Sequence, residues 1–127
     1  MVNISSLFGL ISIPNQSAYN AAKFAVRGFS ESLRIEMLLS NKTVQVSCVH
    51  PGGIKTNIAN AGRFKDQVGT QDSPEKQKKE FNDHLARTTA IQAADIIIKG
   101  INKNKPRILV GGDAKLLDII QRFIPSG

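Results

Sequence analysis

Cysteine occurs once in these 127 residues, tyrosine once and histidine twice, and aromatic side chains make up only 6% of the chain. A single thiol, Cys48, excludes an internal disulfide, and its place in the apolar run Val44 to Val49 marks it as a small buried hydrophobe. No cluster of His, Cys and carboxylate residues has metal-ligand spacing, so no metal site is expected. The few aromatics are not interleaved with basic residues, which argues against base stacking and hence against a nucleic-acid partner. No apolar run reaches the ~20 residues needed to span a bilayer. Nor does a basic region with an apolar core and cleavage site open the chain, which makes the cytoplasm the expected location.

Positive charge, by contrast, is abundant, with a formal net charge of +7. Much of it lies in Lys76 to Lys79 and Lys99 to Arg107, which read as a solvated helix face and a turn. A hydrophobic content of 41% suffices for one modest core, so residues 1–127 read as one domain or part of one.

Met1 to Ser5 has the alternation of a buried strand's end. A loop through Gly9 and Pro14 leads to a long amphipathic helix, Ser17 to Leu39, with Ala18, Ala22, Ala25, Val26, Phe29, Leu33 and Met37 at helical spacing and Arg27, Glu31 and Arg34 elsewhere. Gly28 within it suggests close approach of another backbone or helix. Val44 to Val49 reads as a second interior strand, ended by His50-Pro51-Gly52-Gly53. Asn60 to Ser73 reads as a loop or lid, and Ser73-Pro74-Glu75 as the start of a polar helix to about Arg87. Ala94, Ile97, Ile98 and Ile101 mark a more buried helix, Arg107 to Val110 a third strand, and Asp113 caps a last helix through Phe123. Strands alternating with helices predict a parallel α/β sheet with right-handed crossovers.

Tyr19 and Lys23 stand four positions apart, on one helix face, where their side chains can act together. A phenol is a poor base near neutrality, and an adjacent ammonium favours the phenolate. The pair alone is a weak signal, because this spacing also arises on ordinary solvated helices. Its neighbours sharpen it. Asn3-Ile-Ser-Ser6 ends a strand thirteen residues before Tyr19, and Pro51-Gly-Gly-Ile-Lys-Thr56 opens where the next strand closes. Both would lie at the carboxyl edge of a parallel sheet, where ligands bind in open α/β folds. His50 reads as structural or substrate-adjacent, and His84 as solvated.

Asn-x-Ser-Ser, Tyr-x-x-x-Lys and Pro-Gly-x-x-x-Thr in this register closely resemble the short-chain dehydrogenase/reductase family. The resemblance implies the carboxy-terminal half of a Rossmann-like, doubly wound parallel sheet. It further implies an oxidoreductase that moves a hydride between NAD or NADP and a small carbonyl or alcohol. By that likeness Ser6 would hydrogen-bond the substrate oxygen, and Tyr19 would give or take the proton. Lys23 would tune Tyr19 and hold the nicotinamide ribose, while Pro51, Gly52, Ile54 and Thr56 would lie against the nicotinamide. The helix over 17–39 resembles the family's subunit-contact helix, implying a homo-oligomer.

No Gly-rich turn follows a strand near the start, so the pyrophosphate cradle of such a domain is not in the sequence. The expectation is a catalytic half that is inactive alone. Two other readings stay open: a non-enzymatic oligomerisation module built on the long helix, and a basic surface for nucleic acid or acidic lipid. The stripe Leu116, Leu117, Ile120, Phe123 and Ile124 reads as core or partner-facing, with contact of this amphipathic end with a membrane as the lesser alternative.

Overall fold

A computed structural model describes residues 1–40, 43–56 and 87–124. Three strands, β1 (Val2–Ile4), β2 (Ser47–Pro51) and β5 (Arg107–Val110), form one parallel sheet in the order β1-β2-β5, and β3 (Ile54–Lys55) pairs with β4 (Thr88–Thr89) beside it. The helices are α1 (Ser17–Leu39), α2 (Ala90–Asn102) and α3 (Gly112–Phe123), with one 3-10 turn at Leu7–Gly9. The register sets Asn3 beside Cys48 and Cys48 beside Arg107 on one face, and Val49 beside Ile108 on the other.

Each face carries its own packing. Val49, Ala93, Ile108 and Val110 form one apolar cluster beneath α2, and Leu7, Leu10 and Ala114 form another with Leu109 and Leu117, beneath α3. On the second face α1 is also docked, through Asn3 Nδ2 donating to Ser30 Oγ at 3.0 Å and Arg107 donating to Glu31 at 2.6 Å. The chain steps from β1 to β2 to β5 in one direction, yet α1 and α2 lie on opposite faces.

Several expectations are corrected by this arrangement. β1 pairs with β2 only, so Val2 and Ile4 are exposed rather than buried. The second strand begins at Ser47, three residues later than expected, because Thr43 to Gln45 are exposed and only from Val46 does the chain enter the core. In α2 the inward residues are Ala93, Ile96, Ile97, Gly100 and Ile101, whereas Ala94 and Ile98 face outward. Gly100 is required there, since a Cβ would stand 2.7 Å from the Ile108 side chain. The lid over 60–73, the helix over 73–87 and His84 lie outside the described residues.

The largest correction concerns α1. Its inward positions are mixed: Asn20 and Ser30 are buried, and Lys23, Val26, Arg27, Leu33, Arg34 and Met37 are half-buried, while Ala18, Ala22, Ala25 and Phe29, the rest of the expected apolar stripe, face outward. Most of the inward polar groups find partners, although Asn20 Oδ1 has none among the described residues. Ser30 Oγ donates to the Val26 carbonyl at 2.6 Å, and Arg34 donates to the Val46 carbonyl at 2.7 Å and to Asn104 Oδ1 at 3.0 Å. Arg107 joins α1, β5 and α3 by donating to Glu31 at 2.6 Å and to Asp118 at 2.7 Å. Burial alone would raise both acids, but the Arg107 bond to Glu31 and the Arg122 and Arg107 bonds to Asp118 hold them below the ordinary carboxylate range. Among the described residues none comes within 4 Å of the place a Cβ would take at Gly28.

Candidate active site

Parallel pairing brings the ends of β1, β2 and β5 to one edge, so Ser5-Ser6, Pro51-Gly52-Gly53 and Gly111 open side by side. Ser5 does the joining. Its amide donates to the Val49 carbonyl at 2.8 Å, and its Oγ donates to the Lys23 carbonyl at 2.8 Å, which clamps the end of β1 to the turn of α1 bearing the motif. Gly9 lets this contact close: a Cβ there would collide with Ser5 Oγ and lie 2.8 Å from the Lys23 carbonyl oxygen.

Ser6 caps the 3-10 turn, with its Oγ accepting the Phe8 amide at 3.2 Å, so its hydroxyl hydrogen remains free to donate. The Phe8 ring meets the Tyr19 ring edge-on, centroids 6.3 Å apart, which ties that turn to the helix. Tyr19 is 43% exposed, and its hydroxyl makes no hydrogen bond among the described residues. Lys23 Nζ lies over the Tyr19 ring at 5.5 Å from its centroid and donates to the Ile4 carbonyl at 3.3 Å. Ser6, Tyr19 and Lys23 thus belong to one knot of contacts. Asn20 secures the entry to α1 by donating to the Ile13 carbonyl at 3.0 Å.

The second predicted motif is braced from α3. Gly52 N donates to the Val110 carbonyl at 2.9 Å, and Gly53 N donates to Asp113 Oδ2 at 2.7 Å. Any side chain at Gly52 would run into the Asp113 carboxylate. Asp113 is therefore a brace for the glycine loop and not the cap expected from sequence; the cap position is Gly111, whose φ of +106° favours glycine. Ile54 leans on the α2-side core, and Thr56 is exposed at the loop's end.

Between the two motifs sits His50, fully buried, with Nδ1 2.9 Å from the Ser6 carbonyl oxygen. Burial pushes its imidazole below the ordinary range, against the opposing effect of the Ser6 bond. A neutral ring with its proton on Nδ1 makes that contact a hydrogen bond to Ser6, leaving Nε2 with no partner among the described residues. His50 was expected to be structural or substrate-adjacent, its signal being a histidine placed before a strand-ending Pro-Gly. Cys48 is buried as expected, and burial raises its thiol.

Comparison with known proteins adds the rest. Residues 1–67 match the short chain dehydrogenase family. SadH of Mycobacterium tuberculosis is 49% identical over 126 residues, covering 99% of this chain and 44% of SadH. A crystal structure of a short-chain dehydrogenase from Streptomyces avermitilis superposes with a TM-score of 0.71 at 26% identity, over 98% of this chain and 47% of that one. A short chain dehydrogenase/reductase from Burkholderia phymatum, solved in complex with NAD, gives a TM-score of 0.76 at 23% identity, over the same shares. The chain spans less than half the length of these relatives.

Proposed function

The chain belongs to the short-chain dehydrogenase family, and from that premise we propose that it carries the proton-transfer half of an NAD- or NADP-dependent oxidoreductase interconverting a carbonyl and an alcohol. The observation that supports this most is the clamp between Ser5 and the Lys23 carbonyl, which ties the Ser6 turn to the helix turn of Tyr19 and Lys23. In reduction, the Tyr19 hydroxyl gives its proton to the oxygen that becomes the alcohol, and in oxidation it takes that proton back. Ser6 donates its free hydroxyl hydrogen to the same oxygen. The positive charge of Lys23 lies against the ring that must carry the phenolate's negative charge.

A nicotinamide cofactor, as bound in the Burkholderia phymatum structure, supplies or accepts the hydride. The residues present fit its nicotinamide-ribose end. Lys23 spends one of three ammonium donors on Ile4 and has others for ribose hydroxyls. Pro51, Gly52, Ile54 and Thr56 line a loop kept free of side chains at Gly52 and Gly53 and held in place by Asp113. The pyrophosphate and adenosine contacts belong to the part of the relatives that this chain does not span. Calorimetric titration of the 127-residue chain with NADH and NADPH, beside a carbonyl-reduction assay, tests this division. We expect weak binding at most and no turnover; micromolar binding with turnover by a monomer would overturn it.

The outward face of α1 favours a homo-oligomer as well. Ala18, Ala22, Ala25 and Gly28 make it flat enough for close approach, and Phe29, Leu38 and Leu39 are exposed on the same helix. Two copies of α1 packed face to face would bury them.

A further inference from the structure

We propose that the β5 edge of the sheet, together with the outward stripe of α3, is a docking face for an anionic membrane surface. β5 is the edge opposite β1, so strands added beside β1 would leave it uncovered. A cavity of about 270 Å³ opens there between α2, β5 and α3, with Ile96, Ile108 and Leu109 inside and Lys103, Lys105 and Lys115 at its rim. The other two cations at this cavity are committed, Lys99 to Asp95 and Arg107 to Glu31 and Asp118. The side chains of Lys103, Lys105 and Lys115 have no ion-pair partner among the described residues.

Lys115 continues into α3. Helical spacing sets Ile119 and Arg122 on its flank, and beside them Leu116, Ile120 and Phe123 form an outward apolar stripe. Leu116 is 58% exposed and Phe123 82%. Arg122 is paired with Asp118, so Lys115 is the uncommitted cation beside this exposed aliphatic and aromatic stripe, and together they make the pattern of a helix lying in a membrane interface. No helix among the described residues is long and apolar enough to cross a membrane.

Other occupants use only part of this face. A second copy related by a two-fold axis through the cavity would bring the three lysines against their own images. An acidic peptide laid along β5 would leave the α3 stripe uncovered, and nucleic acid has no use for Leu116, Ile119 and Ile120. Anionic lipid matches both halves, its headgroups meeting the lysines and its acyl boundary meeting the stripe.

Cosedimentation of the 127-residue chain with vesicles tests this. Phosphatidylglycerol-phosphatidylcholine vesicles should bind it about tenfold more tightly than phosphatidylcholine alone, with the difference shrinking as salt screens the lysines. Combined Lys103→Glu, Lys105→Glu and Lys115→Glu should abolish the preference, as should Phe123→Ser with Leu116→Ser through loss of insertion. Ile91→Glu, at an exposed position at the start of α2, should leave it intact. Equal binding to both vesicles, unchanged binding by the triple variant, or loss through Ile91→Glu would overturn the proposal. So would a dimer that the triple variant dissociates without any vesicle binding.

Discussion

Buried and unable to share Nε2 with any described partner, His50 makes the neighbourhood of Ser6 sensitive to mild acid. In the unfolded chain its imidazole takes a proton near pH 6.5, whereas in the folded chain burial delays that proton to lower pH. The unfolded state then binds more protons in the window below 6.5, so the His50 contribution is complete above that pH and is lost as pH falls. Glu31 and Asp118 act in a separate, lower window, where stability present above the ordinary carboxylate range is lost as pH falls through their depressed values. Urea unfolding at pH 7.5 and 5.5 should therefore show a drop in midpoint that His50→Asn largely removes. A drop of equal size in the variant would assign it to other groups. Glycines differ by position in the same way. Gly9→Ala should cost about 1–3 kcal/mol by forcing apart Ser5 and the Lys23 carbonyl, and Gly100→Ala a similar amount against Ile108. Gly28→Ala, in open space, should instead stabilise α1 by up to about 1 kcal/mol. Chemical unfolding of the three variants checks the signs.

Among the elements, β5 was legible to the residue, and α1 in its bounds, because a short β-branched run between turns and a long helical period are strong local signals. What periodicity could not reveal was which stripe of α1 faces in. The helix docks through Asn20, Lys23, Arg27, Ser30 and Arg34, and four of these reach backbone carbonyls outside the helix, those of Ile13, Ile4, Gly9 and Val46. Only part of the apolar stripe, Val26, Leu33 and Met37, turns inward with them. The same non-local cause hides Asp113, whose role depends on Gly53 sixty residues earlier, and Ser5, whose hydroxyl reaches α1. The catalytic candidates Ser6, Tyr19 and Lys23 were readable because a motif records residue identity at fixed spacing and needs no knowledge of packing. If the apolar face of α1 is the contact between copies, Phe29→Glu should shift the chain toward monomer by at least about tenfold in dissociation constant, as fits the truncation of a large buried anchor. Analytical ultracentrifugation reads this directly, and an unchanged association constant would move the interface elsewhere.

At the scale of the whole molecule, the described residues hold two short motifs at one edge of a three-stranded parallel sheet flanked by α1, α2 and α3, and in that sheet β1 pairs with β2 alone. An edge of this kind invites pairing by further strands, and the relatives, more than twice as long, have chain enough to provide them. The proposed chemistry is divided along that line: the proton comes from this chain, and most of the cofactor's binding from the remainder. Joining the chain to the part of a relative such as SadH that it does not span would give a molecule in which both can be read. The most direct measurement is carbonyl reduction by that joined enzyme with Tyr19 and with Tyr19→Phe, alongside NADH and NADPH titrations of both. The ring contacts with Phe8 and Lys23 survive the substitution while the proton donor is lost. Turnover should fall by roughly 100-fold or more with cofactor affinity nearly unchanged. Wild-type turnover in Tyr19→Phe would contradict the assignment of Tyr19 as the acid and base.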